Sequence, residues 1–344
     1  MHWCVSARVI DNWGDIGFAW RLARALHGRG ERVRLVVDDD RALDWMAPGR
    51  AGEPRVERWP GALAEPVDIA VETFGCGLPD GVQADVFVNV EHLTAEPYAA
   101  RSHGLPSPVD GRTVWFFFPG FDADTGGLLG PPIARAEGRP DRDRDRDRDH
   151  EHDRDRVVTA FGYPGACWQR LLDALGADGI PTRVLALPGG ATDGLRALAA
   201  PTSSVRVEPI GFQSQDGYDR LLADADLNLV RGEDSLVRAV RAGRPFLWQA
   251  YVQADGAHVA KVRAFVDRYA RDAEPALRDA LHATFAVWNG FAAPDAPLRL
   301  PPADAWSAHA TAVSEALARE PDLAERLIAF ASLRWRALPS SAPP

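Results

Sequence analysis

Two stretches decide how this chain is read: Val9-Ile10-Asp11-Asn12-Trp13-Gly14-Asp15-Ile16-Gly17 near the start, and Asn228-Leu229-Val230-Arg231-Gly232-Glu233-Asp234-Ser235 two thirds of the way along. Each follows an apolar, strand-like run and precedes a helix-like run. In an open parallel sheet that junction lies at the carboxyl edge of the strands, where ligands bind. The first stretch brings two carboxylates and two glycines to such an edge. The second brings a glycine, two acids and a serine to the start of a helix, where backbone N–H groups await acceptors. Two edges of this kind facing one another across a cleft describe an enzyme with two substrates.

Outward from these stretches, strand and helix signals alternate. Residues 5–10 predict a strand, Asp15 an N-cap, and 16–27 a helix with Trp20, Leu22, Ala23 and Leu26 on its core face, ended by Gly28 and Gly30. Apolar strands follow at 33–37, 67–71 and 86–90, the last two running into Glu72 and Glu91, and a strand and turn at 115–120. A second series has strands at 157–161, 183–187, 205–207, 227–230 and 246–248. Its helices are expected at 168–175, 218–223, 235–241 and 258–269, with two more at 305–318 and 323–333. Between the series lies residues 141–156, DRDRDRDRDHEHDRDR, without one apolar side chain. Such a run cannot join a core and reads as a solvated linker. The fold class is therefore α/β, with two Rossmann-like doubly wound domains.

Composition sets the outer limits. The 344 residues suffice for two domains, and 46% hydrophobic with 26% charged residues, including 11 Trp and 14 Phe, is a globular composition. No apolar run approaches the ~20 residues of a membrane span, and the first residues read as a strand, not a signal peptide. Cys4, Cys76 and Cys167 are isolated and odd in number, which argues against a disulfide framework or a zinc site and for the cytoplasm. The net charge of −10 argues against non-specific nucleic-acid binding and suits a basic protein partner. Lys261 is the one lysine; the other basic residues are arginine, as a GC-rich genome produces.

Several chemistries remain open at the two edges. Asp11 and Asp15 suit a bidentate grip on a cation such as guanidinium, and one of them suits general-base work. They also fit a plain turn residue and a plain N-cap. The start of the second helix, with Arg231 beside it, suits a diphosphate or is an ordinary capped helix. Phe161, Tyr163 and Phe212, at strand ends, offer stacking faces for a nucleobase or simply pack the core. Neither the G-x-x-x-x-G-K-[ST] nor the G-x-G-x-x-G pattern occurs, which leaves NTPase and dinucleotide-dehydrogenase readings without support. No histidine falls in a metal or triad spacing, and the D-x-D pairs lie in the charged run or are isolated.

Taken together, the stretches resemble the bacterial protein-arginine rhamnosyltransferases that modify elongation factor P, the EarP family. The resemblance extends through Trp20-Arg21-Leu22-Ala23-Arg24, Glu91-His92-Leu93-Thr94-Ala95-Glu96-Pro97, His103-Gly104-Leu105-Pro106-Ser107-Pro108 and Phe116-Phe117-Phe118-Pro119-Gly120-Phe121. It continues through Thr125-Gly126-Gly127-Leu128-Leu129, Tyr218-Asp219-Arg220-Leu221-Leu222, Asp226 to Ser235, and Gly243-Arg244-Pro245-Phe246-Leu247-Trp248, all in collinear order. It implies a GT-B fold, with an acceptor-binding domain over 1–140, the linker 141–156, a nucleotide-sugar domain over 157–320 and a helix at 321–337 returning to the first domain. It implies dTDP-β-L-rhamnose as donor, an arginine of elongation factor P as acceptor, inversion at the anomeric carbon, and neither cofactor nor metal. The modified factor would then be active on polyproline stretches. By position, Asp15 matches a general base and Asp11 its partner on the guanidinium. Glu233 matches a glutamate needed for activity, and Asp234 and Ser235 match contacts to the donor diphosphate. Phe161, Tyr163, Phe212 and Gln215 fall near nucleotide-holding positions. Arg231, Gly232, Asn12, Trp13, Gly14 and Gly17 join the donor-binding set.

Three departures stand out: the charged run has no counterpart, Trp13 replaces an expected Tyr, and Gln249-Ala250-Tyr251 replaces a His-containing triplet. The rival readings are a GT-B glycosyltransferase with another acceptor, a sugar-nucleotide epimerase, and an inactive protein that binds elongation factor P.

Overall fold

The computed structural model describes residues 1–10, 13–50, 52, 54–59, 65–135, 155–198 and 204–338. Asp11, Asn12 and the charged run 141–154 lie outside the described residues. The chain divides into two compact units, one built from 1–131 and 320–344, the other from 132–319.

The first unit opens with β1 (His2–Ala7), α1 (Gly14–His27), β2 (Arg32–Val37), α2 (Leu43–Met46), β3 (Arg55–Arg58), β4 (Val67–Thr73) and β5 (Ala84–Val90). Next come α3 (Pro97–Ser102), β6 (Pro106–Val109) and β7 (Arg112–Phe117). The sheet order is β3-β2-β1-β4-β5-β7-β6, all parallel except β6, which pairs with β7 as a hairpin. Asp110 and Gly111 turn that hairpin with φ of 49° and 76°, the positive pair that a two-residue loop needs.

The first strand lies three residues earlier than the sequence suggests. Parallel pairing runs from His2 opposite Arg32 to Ala7 opposite Val37. Beyond it Arg8 stacks on Trp59 at 4.5 Å, the Val9 N–H donates to Asp38 at 2.9 Å, and Ile10 is 82% exposed. The apolar pair Val9-Ile10 thus belongs to the loop.

The second unit holds β8 (Arg156–Ala160), α4 (Trp168–Gly176), β9 (Thr182–Ala186), α5 (Thr192–Leu198), β10 (Val205–Pro209) and α6 (Gln215–Asp224). It continues with β11 (Leu227–Arg231), α7 (Glu233–Ala242), β12 (Phe246–Gln249), α8 (Ala257–Tyr269), α9 (Pro275–Trp288) and α10 (Ala303–Ala318). Its sheet is wholly parallel, ordered β10-β9-β8-β11-β12. Arg156, the last residue of the charged run, already belongs to β8: its guanidinium bonds Asp178 at 2.7 Å, Thr182 Oγ1 at 3.0 Å and the Leu175 carbonyl. Helix α9 was not foreseen. Phe285 on it packs with Phe246 and Phe265 in an aromatic cluster that covers β12.

Helix α11 (Leu323–Arg336) returns to the first unit. Asp322 caps it, accepting the Glu325 N–H at 3.0 Å, and Leu323, Ala324, Leu327 and Ala331 are buried in one core with Ile16, Trp20 and Leu26 of α1. Phe330 meets Phe117 edge-on at 5.3 Å, and Arg326 donates to the carbonyls of Ala123 and Thr125 at 2.6 and 3.0 Å.

Candidate active site

Each sheet reverses its direction of growth at one point of its own, and each carries one of the two motifs at that point. In the first unit the chain builds outward from β1 through β2 and β3, then crosses back to β4 on the other side of β1. In the second it builds from β8 through β9 and β10, then crosses back to β11 beside β8. Loops leaving the carboxyl ends of such neighbouring strands diverge and leave a crevice.

At the first unit's edge, α1 starts at Gly14, so Trp13 takes the N-cap position and Asp15 falls in the first turn. Asp15 is therefore not the cap. Its Oδ2 accepts the Ile10 N–H at 2.8 Å. A carboxylate in this turn is also favoured by the helix dipole. Trp13 packs edge-on against Trp45 at 5.3 Å. Gly17 donates to the Trp13 carbonyl at 3.0 Å inside the helix, and a Cβ at Gly14 would meet nothing within 4 Å. Asp11 and Asn12 lie outside the described residues.

The neighbouring loop after β4 supplies features the sequence did not signal. Phe74 sits at φ 59°, a left-handed conformation costly for an aromatic residue. Its ring stacks on His92 at 4.4 Å and 8°, and lies against Phe18 of α1 at 4.9 Å. Glu72 accepts the Gly77 N–H at 2.8 Å, and burial pushes its carboxyl above the usual range.

The second unit's edge is denser. Gly232 caps α7 at φ 69° and ψ 174°, a region open essentially to glycine alone. Gly232 itself offers no side-chain cap to α7, whereas Ser214 caps α6 by accepting the Gly217 N–H at 3.0 Å. Glu233, Asp234 and Ser235 make the first turn of α7. Trp248 Nε1 fixes the Gly232 carbonyl at 3.0 Å. The Arg231 guanidinium lies over Phe161 at 4.6 Å and over Tyr163 at 4.5 Å, held by two aromatic rings.

Between those rings, a Cβ on Gly162 would fall 2.5 Å from Trp168, so only glycine lets the loop pass. Gln249 Oε1 accepts the Tyr163 N–H at 2.7 Å, and Tyr251 lies edge-on to Tyr163 at 5.6 Å. The Gln249-Ala250-Tyr251 triplet thus has its own contacts here. On α6, Tyr218 meets Phe161 at 6.2 Å, and Gln215, three residues earlier and buried, shares its helix face. Phe212 is 51% exposed, just ahead of that helix.

Glu233 carries one further partner, Lys261 of α8, through an ion pair between Nζ and Oε1. Lys261 is the one lysine of the sequence, and nothing else in the sequence marks this contact. Arg238 and Asp219 form a buried bidentate pair at 2.7 and 3.0 Å that ties α7 to α6.

Phe161, Tyr163, Gln215, Arg231, Gly232, Glu233, Asp234 and Ser235 gather around the β8–β11 switch point of the second unit. Trp13, Gly14, Asp15 and Gly17 lie at the β1–β4 switch point of the first. Among the described residues no helix is long and apolar enough to cross a membrane.

Residues 3–332 match the family model described as Elongation-Factor P (EF-P) rhamnosyltransferase EarP. A protein-arginine rhamnosyltransferase of Pseudomonas putida is 34% identical, covering 95% of this chain and 98% of its own. One of Neisseria meningitidis is 33% identical, covering 95% and 96%. The solved structure from "Structural basis for EarP-mediated arginine glycosylation of translation elongation factor EF-P" is 26% identical with a TM-score of 0.60, covering 98% of this chain and 99% of that one. MurG of Acinetobacter baumannii, at 13% identity, TM-score 0.51 and coverage of 97% and 99%, shares the fold alone. The expected GT-B fold is borne out. The chain belongs to the EarP family of elongation factor P rhamnosyltransferases.

Proposed function

We propose that this chain transfers L-rhamnose from dTDP-β-L-rhamnose to an arginine side chain of elongation factor P, in the cytoplasm, inverting the anomeric centre and needing no metal ion. The observation that carries the donor side is the start of α7: a helix N-terminus capped by a glycine, at a topological switch point, beside a ring-held arginine. Its N–H groups and dipole suit a diphosphate, and as the sugar leaves they stabilise the charge that develops on it. The Phe161 and Tyr163 rings beside it suit a pyrimidine.

On the acceptor side, a guanidinium has a pKa above 12 and is a poor nucleophile. Asp15 accepts its N–H, localises electron density on one nitrogen, and takes the proton as the C–N bond forms and the C–O bond to the diphosphate breaks. Direct displacement by that nitrogen inverts the centre. Asp11 is assigned the second carboxylate contact by position in the sequence.

The test is incubation with dTDP-rhamnose and elongation factor P in excess EDTA, read by intact mass and fragment localisation. One deoxyhexose on one arginine is expected. An unmodified acceptor, a requirement for added Mg²⁺, or an epimerised donor without transfer would overturn the reading.

A further inference from the structure

The start of α7 contains an electrostatic conflict. An anion binds a helix N-terminus because of a partial charge of roughly +0.5 there. Here Glu233 and Asp234 occupy the same turn, and two carboxylates more than cancel it. A diphosphate offered to this turn meets two carboxylates. Arg231, stacked on Phe161 and Tyr163, supplies one positive charge beside it.

The structure supplies a second positive charge from a distant part of the chain. Lys261 pairs with Glu233, with 23% and 22% of the two side chains exposed, so the pair is screened less than one on the open surface. The placement is built in. Lys261 and Phe265 lie one turn apart on the same face of α8. Phe265 meets Trp248 edge-on at 5.4 Å, and Trp248 bonds the carbonyl of Gly232, the cap of α7. The face of α8 that carries the lysine is thereby pinned to the turn that carries the acids.

We propose that Lys261 is the counter-charge of the donor-diphosphate subsite, a positioning residue that acts through Glu233 and lets a nucleoside diphosphate occupy an acidic helix start. This rests on the donor reading given above.

Calorimetric titration with dTDP and transfer kinetics on the full-length protein test it, with melting temperature followed throughout. Wild type is measured first; failure to bind dTDP or to transfer rhamnose would remove the donor reading and this inference with it. With wild type active, Lys261→Met is expected to weaken dTDP binding about tenfold or more, the scale of one uncompensated charge in a partly buried site. Lys261→Arg is expected to restore most of it. The deciding variant is the double change Lys261→Met with Glu233→Gln, which removes both charges and should recover dTDP affinity to within about threefold of wild type, without recovering turnover. If Lys261→Met binds dTDP as wild type does, or if the double variant binds no better than Lys261→Met, the counter-charge role is wrong while the donor reading stands.

Discussion

Asp15 shows how a single side chain can be placed correctly in sequence and incorrectly in local structure. The residue is at the expected edge, but the helix starts one residue before it, and its carboxylate bonds the Ile10 N–H instead of capping. Asparagine can accept the same N–H, so Asp15→Asn should keep the fold and dTDP affinity while lowering kcat about 10²–10⁴-fold, the usual range for a lost general base. Calorimetry with dTDP beside transfer kinetics checks this; a large loss of nucleotide affinity would contradict it. Gly232 is a second residue-scale test. Its φ of 69° and ψ of 174° cost a side-chain-bearing residue about 1–3 kcal/mol. Gly232→Ala should therefore lower the melting temperature and weaken dTDP binding together. The glycine was legible in the sequence; its conformation was not. Nor was the pairing of Glu233 with Lys261, because that contact spans 28 residues and depends on how α8 is docked. The left-handed Phe74 left no local signal either.

Among elements, long apolar strands were the most legible, because a strand buried on both faces needs apolar residues throughout. Strands β2, β4 and β5 fall where expected. Helix α9 was overlooked although Pro275 starts it and Leu277, Leu281, Phe285 and Trp288 recur at helical spacing. Strands β3 and β6 were overlooked because both are short edge strands, and β6 carries two prolines. Element packing also sets a pH response. His103 Nδ1 accepts the Phe118 N–H at 3.1 Å, and its ring lies against Phe117 and Phe330. Burial, then the charges of Arg326 and Arg334, lower its pKa to about 4 from the ordinary 6.5. Since the unfolded chain takes up the proton first, the contribution of His103 is full above pH 6.5 and is lost as pH falls through about 4. The melting temperature of wild type should drop across that window relative to His103→Gln, whose amide oxygen can still accept the Phe118 N–H. Parallel curves for the two proteins would contradict this.

For the molecule as a whole, the β-α alternation made two doubly wound domains readable from the sequence, and the resemblance carried by the collinear motifs implied the GT-B fold. Residues 141–154 of the charged run can be judged from composition alone: alternating charges without one apolar side chain contribute little to stability. Replacing it with an equal length of Gly/Ser should leave melting temperature and turnover near wild type. A severe loss of transfer at unchanged melting temperature would show that the charges themselves matter. The passage of the chain out of its first unit at Pro131 and back at Glu320 has a consequence for biosynthesis. A ribosome delivers residues in order, so the sheet of the first unit emerges early while α11, which shares its core, emerges late. Until then the apolar face later covered by Leu323, Leu327 and Ala331 stays uncovered, although every strand and helix of the second unit has already been made. The unit translated first is therefore the one finished last: a nascent chain paused before α11 has a complete second unit and a first unit whose core still lacks its last helix.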